Sequence, residues 1–83
     1  MSAAEHEPVW RALDSLAYRQ GWSASGLAMK AGRDATAFNR SKRISKQGER
    51  RWPTMETVAA ALAATGTSFA EFGAMIDQDI CGN

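Results

Sequence analysis

Two helix-forming stretches, 24–31 and 35–42, are separated only by Gly32-Arg33-Asp34. So short a connection forces the second stretch to cross close against the first. The crossing needs a small residue inside the first piece, and Ala28 is one. The turn needs a residue that accepts positive φ, and Gly32 supplies it. A buried apolar residue must lock the angle from the second piece, and Phe38 stands where it can do so. Leu27 and Ala31 fill the remaining inward positions, and Ser23 and Asp34 are placed to cap the two pieces.

The rest of the chain is punctuated in the same way. Glu7-Pro8 opens a first helix with Val9, Leu13, Leu16 and Ala17 on one stripe, and Gly21 stops it. Thr54 caps a fourth helix, with Met55, Val58, Ala59 and Leu62 inward and Gly66 as its stop. Ser68 and Glu71 form a capping box for a fifth, whose stripe is Phe69, Phe72, Gly73 and Ile76. Between these pieces, 43–53 contains Gln47-Gly48 and Trp52-Pro53 and reads as a long loop with room for a short hairpin. No period-2 run of β-branched residues occurs. The expectation is an all-α domain of five short helices over 8–77, flanked by tails 1–7 and 78–83. Its core must be small: of 83 residues 45% are hydrophobic, and 16 of those are alanine. A core of that size leaves no deep substrate cleft.

Charge is unevenly distributed. Arg40, Lys42, Arg43, Lys46, Arg50 and Arg51 face Glu49 alone within 40–51, while the whole chain nets only +1. Such a block suits a polyanion. The outer face of the third piece carries Thr36, Asn39, Arg40 and Arg43 around Phe38. Asparagine can bond adenine at two points, arginine can bond guanine at two points, and threonine offers a hydroxyl and a methyl. The helix with base-reading chemistry therefore opens the basic block.

Residues 23–43, Ser-Ala-Ser-Gly-Leu-Ala-Met-Lys-Ala-Gly-Arg-Asp-Ala-Thr-Ala-Phe-Asn-Arg-Ser-Lys-Arg, resemble the helix-turn-helix of the Cro and lambda-repressor-like (XRE) superfamily. Arg51-Trp-Pro-Thr54 and Ala64-Thr-Gly-Thr-Ser-Phe69 are similar to segments of the DNA-binding domains of self-cleaving phage-type repressors. The resemblance implies a five-helix, lambda-repressor-like fold whose helices 2 and 3 form the helix-turn-helix. It implies that Thr36, Asn39, Arg40 and Arg43 face the major groove, with Ala35 close to a base and Ser25 on a phosphate. Lys42, Lys46, Arg50 and Arg51 would hold the backbone or reach the minor groove. The implied protein is a sequence-specific regulator of transcription, a repressor bound as a homodimer to a palindromic operator on double-stranded DNA. Phe38 departs from the family's usual isoleucine or valine, and Ser41 from its usual bulky apolar residue.

Other classes find less support. No nucleophile elbow, phosphate loop or catalytic triad is marked, so the expectation is a non-enzyme without a cofactor. One cysteine and one histidine make no metal set, and they suit a reducing cytoplasm. The longest uncharged run, 57–70, is too short and polar for a membrane span, and the N-terminus shows no apolar signal. His6 reads as an exposed terminal residue, Trp22 and Trp52 as core closures, and Met29 as outward. Met55 and Met75 read as packing residues. Met75, Ile76 and Ile80 either extend the last helix into a dimer contact or cover the core. Two rivals remain: a small all-α protein-interaction module of antitoxin type, and a non-specific nucleic-acid binder that uses the basic block alone.

Overall fold

Caps and apolar stripes produce four α-helices in the computed structural model, which describes residues 6–81 without the side chains of Arg40 and Cys81. They are α1 (His6–Arg19), α2 (Ala24–Lys30), α3 (Met55–Thr65) and α4 (Phe69–Cys81). Ser23 Oγ accepts from Gly26 N at 3.1 Å, and Thr54 Oγ1 accepts from Thr57 N at 3.1 Å. Each such cap is worth about 1 kcal/mol. The Ser68/Glu71 box closes in both directions, Glu71 N to Ser68 Oγ at 3.0 Å and Ser68 N to Glu71 Oε1 at 3.3 Å. Gly32 lies at φ 73°, the left-handed turn that the short junction needs.

α1 and α3 each pack against the other three helices. Leu13, Leu16 and Ala17 meet Leu27 and Ala28 from α2, Val58, Ala61 and Leu62 from α3, and Phe72 from α4. Phe38 joins this cluster from the connecting segment and is 1% exposed.

The expected third helix does not form. Residues 35–38 are turns and 39 is a bend, followed by a 3-10 helix at Arg40–Lys42. Three bonds of i to i+3 type run along the segment: Ala37 N to Asp34 O, Asn39 N to Thr36 O, and Lys42 N to Asn39 O. The Phe38 carbonyl, which an α-helical Lys42 amide would use, instead accepts from Arg43 Nη2 at 2.8 Å. A piece this short, with one large apolar residue, is below the length at which a helix sustains itself. Tertiary contacts therefore set its backbone.

Helix extends further toward both ends than expected. α1 starts at His6, ahead of Pro8, because a first-turn proline lacks only an amide that the helix would leave unpaired. α4 runs to Cys81, through positions that read as tail, with Asp79 held by Arg11 Nε at 2.8 Å. Burial also differs. His6 and Trp10 are 2% and 3% exposed, whereas Met55 and Phe69, expected inward, are 70% and 56% exposed. Trp52 is exposed, and Met75 and Ile76 lie half-buried against the core.

The long loop contains the hairpin. Ile44 and Arg50 form an antiparallel bridge, Ser45 N donates to Glu49 O at 2.7 Å, and Arg51 N donates to Arg43 O at 2.8 Å. Ser45 Oγ accepts from Glu49 N at 3.0 Å, and Gly48 turns the tip at φ 80°.

Candidate nucleic-acid interface

The residues singled out for DNA contact differ in their surroundings. Thr36, Lys42, Lys46, Arg50 and Arg51 are exposed. Ser25, in the first turn of α2, is half-buried, as are Ala35 and Asn39 in the turn segment. The Arg40 side chain lies outside the described residues; its backbone opens the 3-10 helix. Arg43 stands apart from all of these.

The resemblance implies a groove position for Arg43, but the side chain is turned inward. Its guanidinium makes a two-point ion pair with Asp14, at 2.7 and 3.0 Å, and lies 4.9 Å from the Trp10 ring centroid. With its bond to the Phe38 carbonyl, it ties α1 to the turn segment. A planar cation with several donors suits this three-way role, and a lysine would not fill it.

Below Arg43, α1 grips the base of the hairpin. His6 Nε2 lies 2.8 Å from Arg51 O and 3.1 Å from Arg43 O, the two carbonyls that face each other where the arms begin. Two acceptors at this nitrogen make it the protonated one. Trp10 Nε1 then donates to Arg51 O at 3.0 Å, so its 3.2 Å approach to His6 Nε2 is a contact without a shared proton. The Trp52 ring meets the imidazole edge-on, with centroids 5.4 Å apart. The sequence reading misses both the His6 and the Arg43 roles. For His6 a signal exists: 6, 10 and 13 share one helix face with two large apolar residues. For the Arg43–Asp14 pair, 29 positions apart, no local pattern exists.

The cations form two populations. Arg11 pairs with Glu7 and Asp79, Arg33 with Glu56, and Arg43 with Asp14. Among the described residues, Arg19, Lys30, Lys42, Lys46, Arg50 and Arg51 are in no ion pair; Lys30 Nζ lies 5.7 Å from the Trp22 ring centroid, and the last four cluster on the turn and hairpin. The Asp34 carboxylate beside this segment is held below its ordinary range, first by the Thr36 amide and then by the Thr36 hydroxyl, at 2.9 and 2.7 Å. The Arg11 guanidinium is pushed further up by its bond to Asp79.

A second surface has different chemistry. Trp52, Met55, Val58, Phe69, Phe72 and Ile76 line an apolar groove of about 280 Å³. Among the described residues, no single helix is long and apolar enough to cross a membrane, and no three potential metal ligands cluster. No family model matches this sequence, and no curated protein or solved structure matches the chain.

Proposed function

We propose that the chain is a double-stranded DNA-binding regulator of transcription that uses 34–51 as its contact surface. The observation that carries this reading is the set of exposed, unpaired cations, Lys42, Lys46, Arg50 and Arg51, on a turn and hairpin anchored to the helical core. Elsewhere Arg11 and Arg33 are neutralised by acids within the molecule, and Arg19 and Lys30 stand singly rather than in a cluster. Unpaired cations on a held scaffold neutralise phosphates and release counterions. Thr36 and Asn39 precede this block and supply groups that hydrogen-bond to base edges.

The finer reading follows the resemblance of 23–43 to the Cro and lambda-repressor-like superfamily. In it, α2 and the 34–42 segment act as a helix-turn-helix, and the turns of 35–39 tighten into a recognition helix on DNA. A homodimer places two such segments in successive major grooves, about 34 Å apart, and represses by occluding polymerase. The half-buried strip of Met75 and Ile76, continued by the exposed Ile80, is the pairing surface in this reading.

Selection from a random duplex pool at about 150 mM salt tests it, with wild type beside the Asn39→Ala, Arg40→Ala pair. A palindromic motif that the double variant loses or relaxes is the expected outcome. Binding without enrichment reduces the function to non-specific attachment through the basic hairpin. No binding overturns the reading. The apolar groove with exposed Met55 and Phe69 favours one alternative, a small protein-interaction module. That alternative expects partner binding insensitive to Asn39 and Arg40.

A further inference from the structure

We propose that His6 is a positioning residue for the basic surface: it holds the hairpin on α1 from beneath, so polyanion binding by Lys46, Arg50 and Arg51 depends on a side chain that touches no ligand. The inference rests on the nucleic-acid reading above.

The geometry singles out this residue. His6 lies 37 positions from Arg43 and 45 from Arg51, yet one nitrogen bonds the carbonyls of both. Those two residues are also joined to each other, Arg51 N to Arg43 O at 2.8 Å. The imidazole thus closes the pair that defines where the two arms leave the body. Within the hairpin, by contrast, there is one bridge pair and a tip of turns. A ribbon of that size is not stable alone in water, so its orientation must come from its base. Arg50 and Arg51 adjoin that base directly, and Lys46 sits at the tip, so a small rotation at the carbonyl pair displaces all three cations.

The other imidazole nitrogen separates this role from general packing. Nδ1 is buried and has no hydrogen-bond partner among the described residues. A histidine kept only to fill space would give way to an apolar residue at little cost, because one of its nitrogens is already an unmet polar group. What an apolar residue cannot do is donate to Arg43 O and Arg51 O. Glutamine can, since its amide nitrogen carries two protons and reaches about as far as Nε2.

The test compares wild type, His6→Ala, His6→Gln and Trp10→Phe by amide hydrogen exchange and by DNA titration at several salt concentrations. The expected result for His6→Ala is roughly tenfold faster exchange at Ser45 and Arg51, with Leu13 and Leu62 unchanged. Its affinity for a selected duplex falls about tenfold, and its salt slope drops by about 1–3, close to one unit for each phosphate that the displaced cations cease to neutralise. The rank order of sequences bound stays the same. His6→Gln restores both readouts. Trp10→Phe, which keeps an aromatic ring but removes one donor to Arg51 O, shows a smaller loosening confined to the hairpin. The proposal is overturned if His6→Ala accelerates core and hairpin amides alike, or if it leaves the salt slope unchanged. It is also overturned if His6→Gln behaves as His6→Ala. If His6→Ala does not fold, the glutamine and phenylalanine variants decide the matter by the same criteria. A wild type that binds no duplex sinks the DNA reading itself, whereas a wild type that binds while His6→Ala keeps its salt slope sinks only the role of His6.

Discussion

In α2, α3 and α4 the side chain that caps each helix start lies within a few positions of the amide it satisfies. Between Asp34 and Pro53 the decisive partners come from 29 to 45 positions away: Asp14 for Arg43, His6 and Trp10 for the base of the hairpin. The first region is stabilised by apolar area and local capping, both distributed over many residues. The second is held by one buried ring, one ion pair and a few hydrogen bonds from α1. The cluster of exposed cations in no ion pair, Lys42, Lys46, Arg50 and Arg51, is on the second, while Arg19 and Lys30 stand singly on the first. The surface best suited to bind is therefore the one whose shape rests on the fewest interactions, and α1 is the element that links the two.

This contrast can be broken at several points. Among the described residues, Phe38 is the fully buried core residue that the second region contributes, so Phe38→Ala should have the largest effect, about 3–5 kcal/mol in urea unfolding. A change under about 1 kcal/mol would mean that the segment is not part of the core at all. Arg43→Met should cost about 1–3 kcal/mol, less than a fully buried pair because Asp14 is 43% exposed. Hydrogen exchange should place that loosening in 38–51, and Arg43→Lys should not restore it, since lysine lacks the two-point fork. Equal loosening of α3 would erase the distinction between the regions. Thr54→Ala should cost about 1 kcal/mol and act on α3 alone. Gly48→Ala, at φ 80°, should cost about 1 kcal/mol within the hairpin and leave the helices untouched.

The smallest effect is a pH dependence at Asp34. Its folded-state value is lowered by the Thr36 amide and hydroxyl, so its contribution is fully present above the ordinary aspartate value of 3.8. It is lost as the pH falls through the lowered value. The Thr36 amide signal should follow that titration, and Asp34→Asn should abolish it. A Thr36 signal that does not move with acid would mean that the turn forms without the carboxylate.

Where an element is fixed by neighbours in sequence, its outline is legible in the sequence. Ser23, Thr54 and the Ser68/Glu71 box start helices where expected, because a cap satisfies amides only a few residues ahead. Ala28 and Gly32 likewise mark the tight junction after α2. The stripes are less reliable at helix starts: Met55 and Phe69 fit the periodicity but stand at first turns, where no opposite element covers them. The site is legible in composition and not in arrangement. The basic block can be read directly, but the inward turn of Arg43 and the burial of His6 cannot, since both depend on which distant atoms the fold brings close.

The sequence alone determined the all-α class, the caps, the glycine turn at 32 and the concentration of positive charge in 40–51. Each of these is a local property of propensity, spacing or count. Only the tertiary structure decided that 35–42 stays as turns and a 3-10 helix, because burial of Phe38 in the core and the Arg43–Asp14 pair set its backbone. It alone decided that Arg33 and Arg43 are paired and Lys42, Lys46, Arg50 and Arg51 are not, because Glu56 and Asp14 are remote in sequence from the arginines they meet. And it alone placed a histidine beneath the hairpin, because burial and hydrogen-bond partners belong to the packed chain and are not written in any short stretch of it.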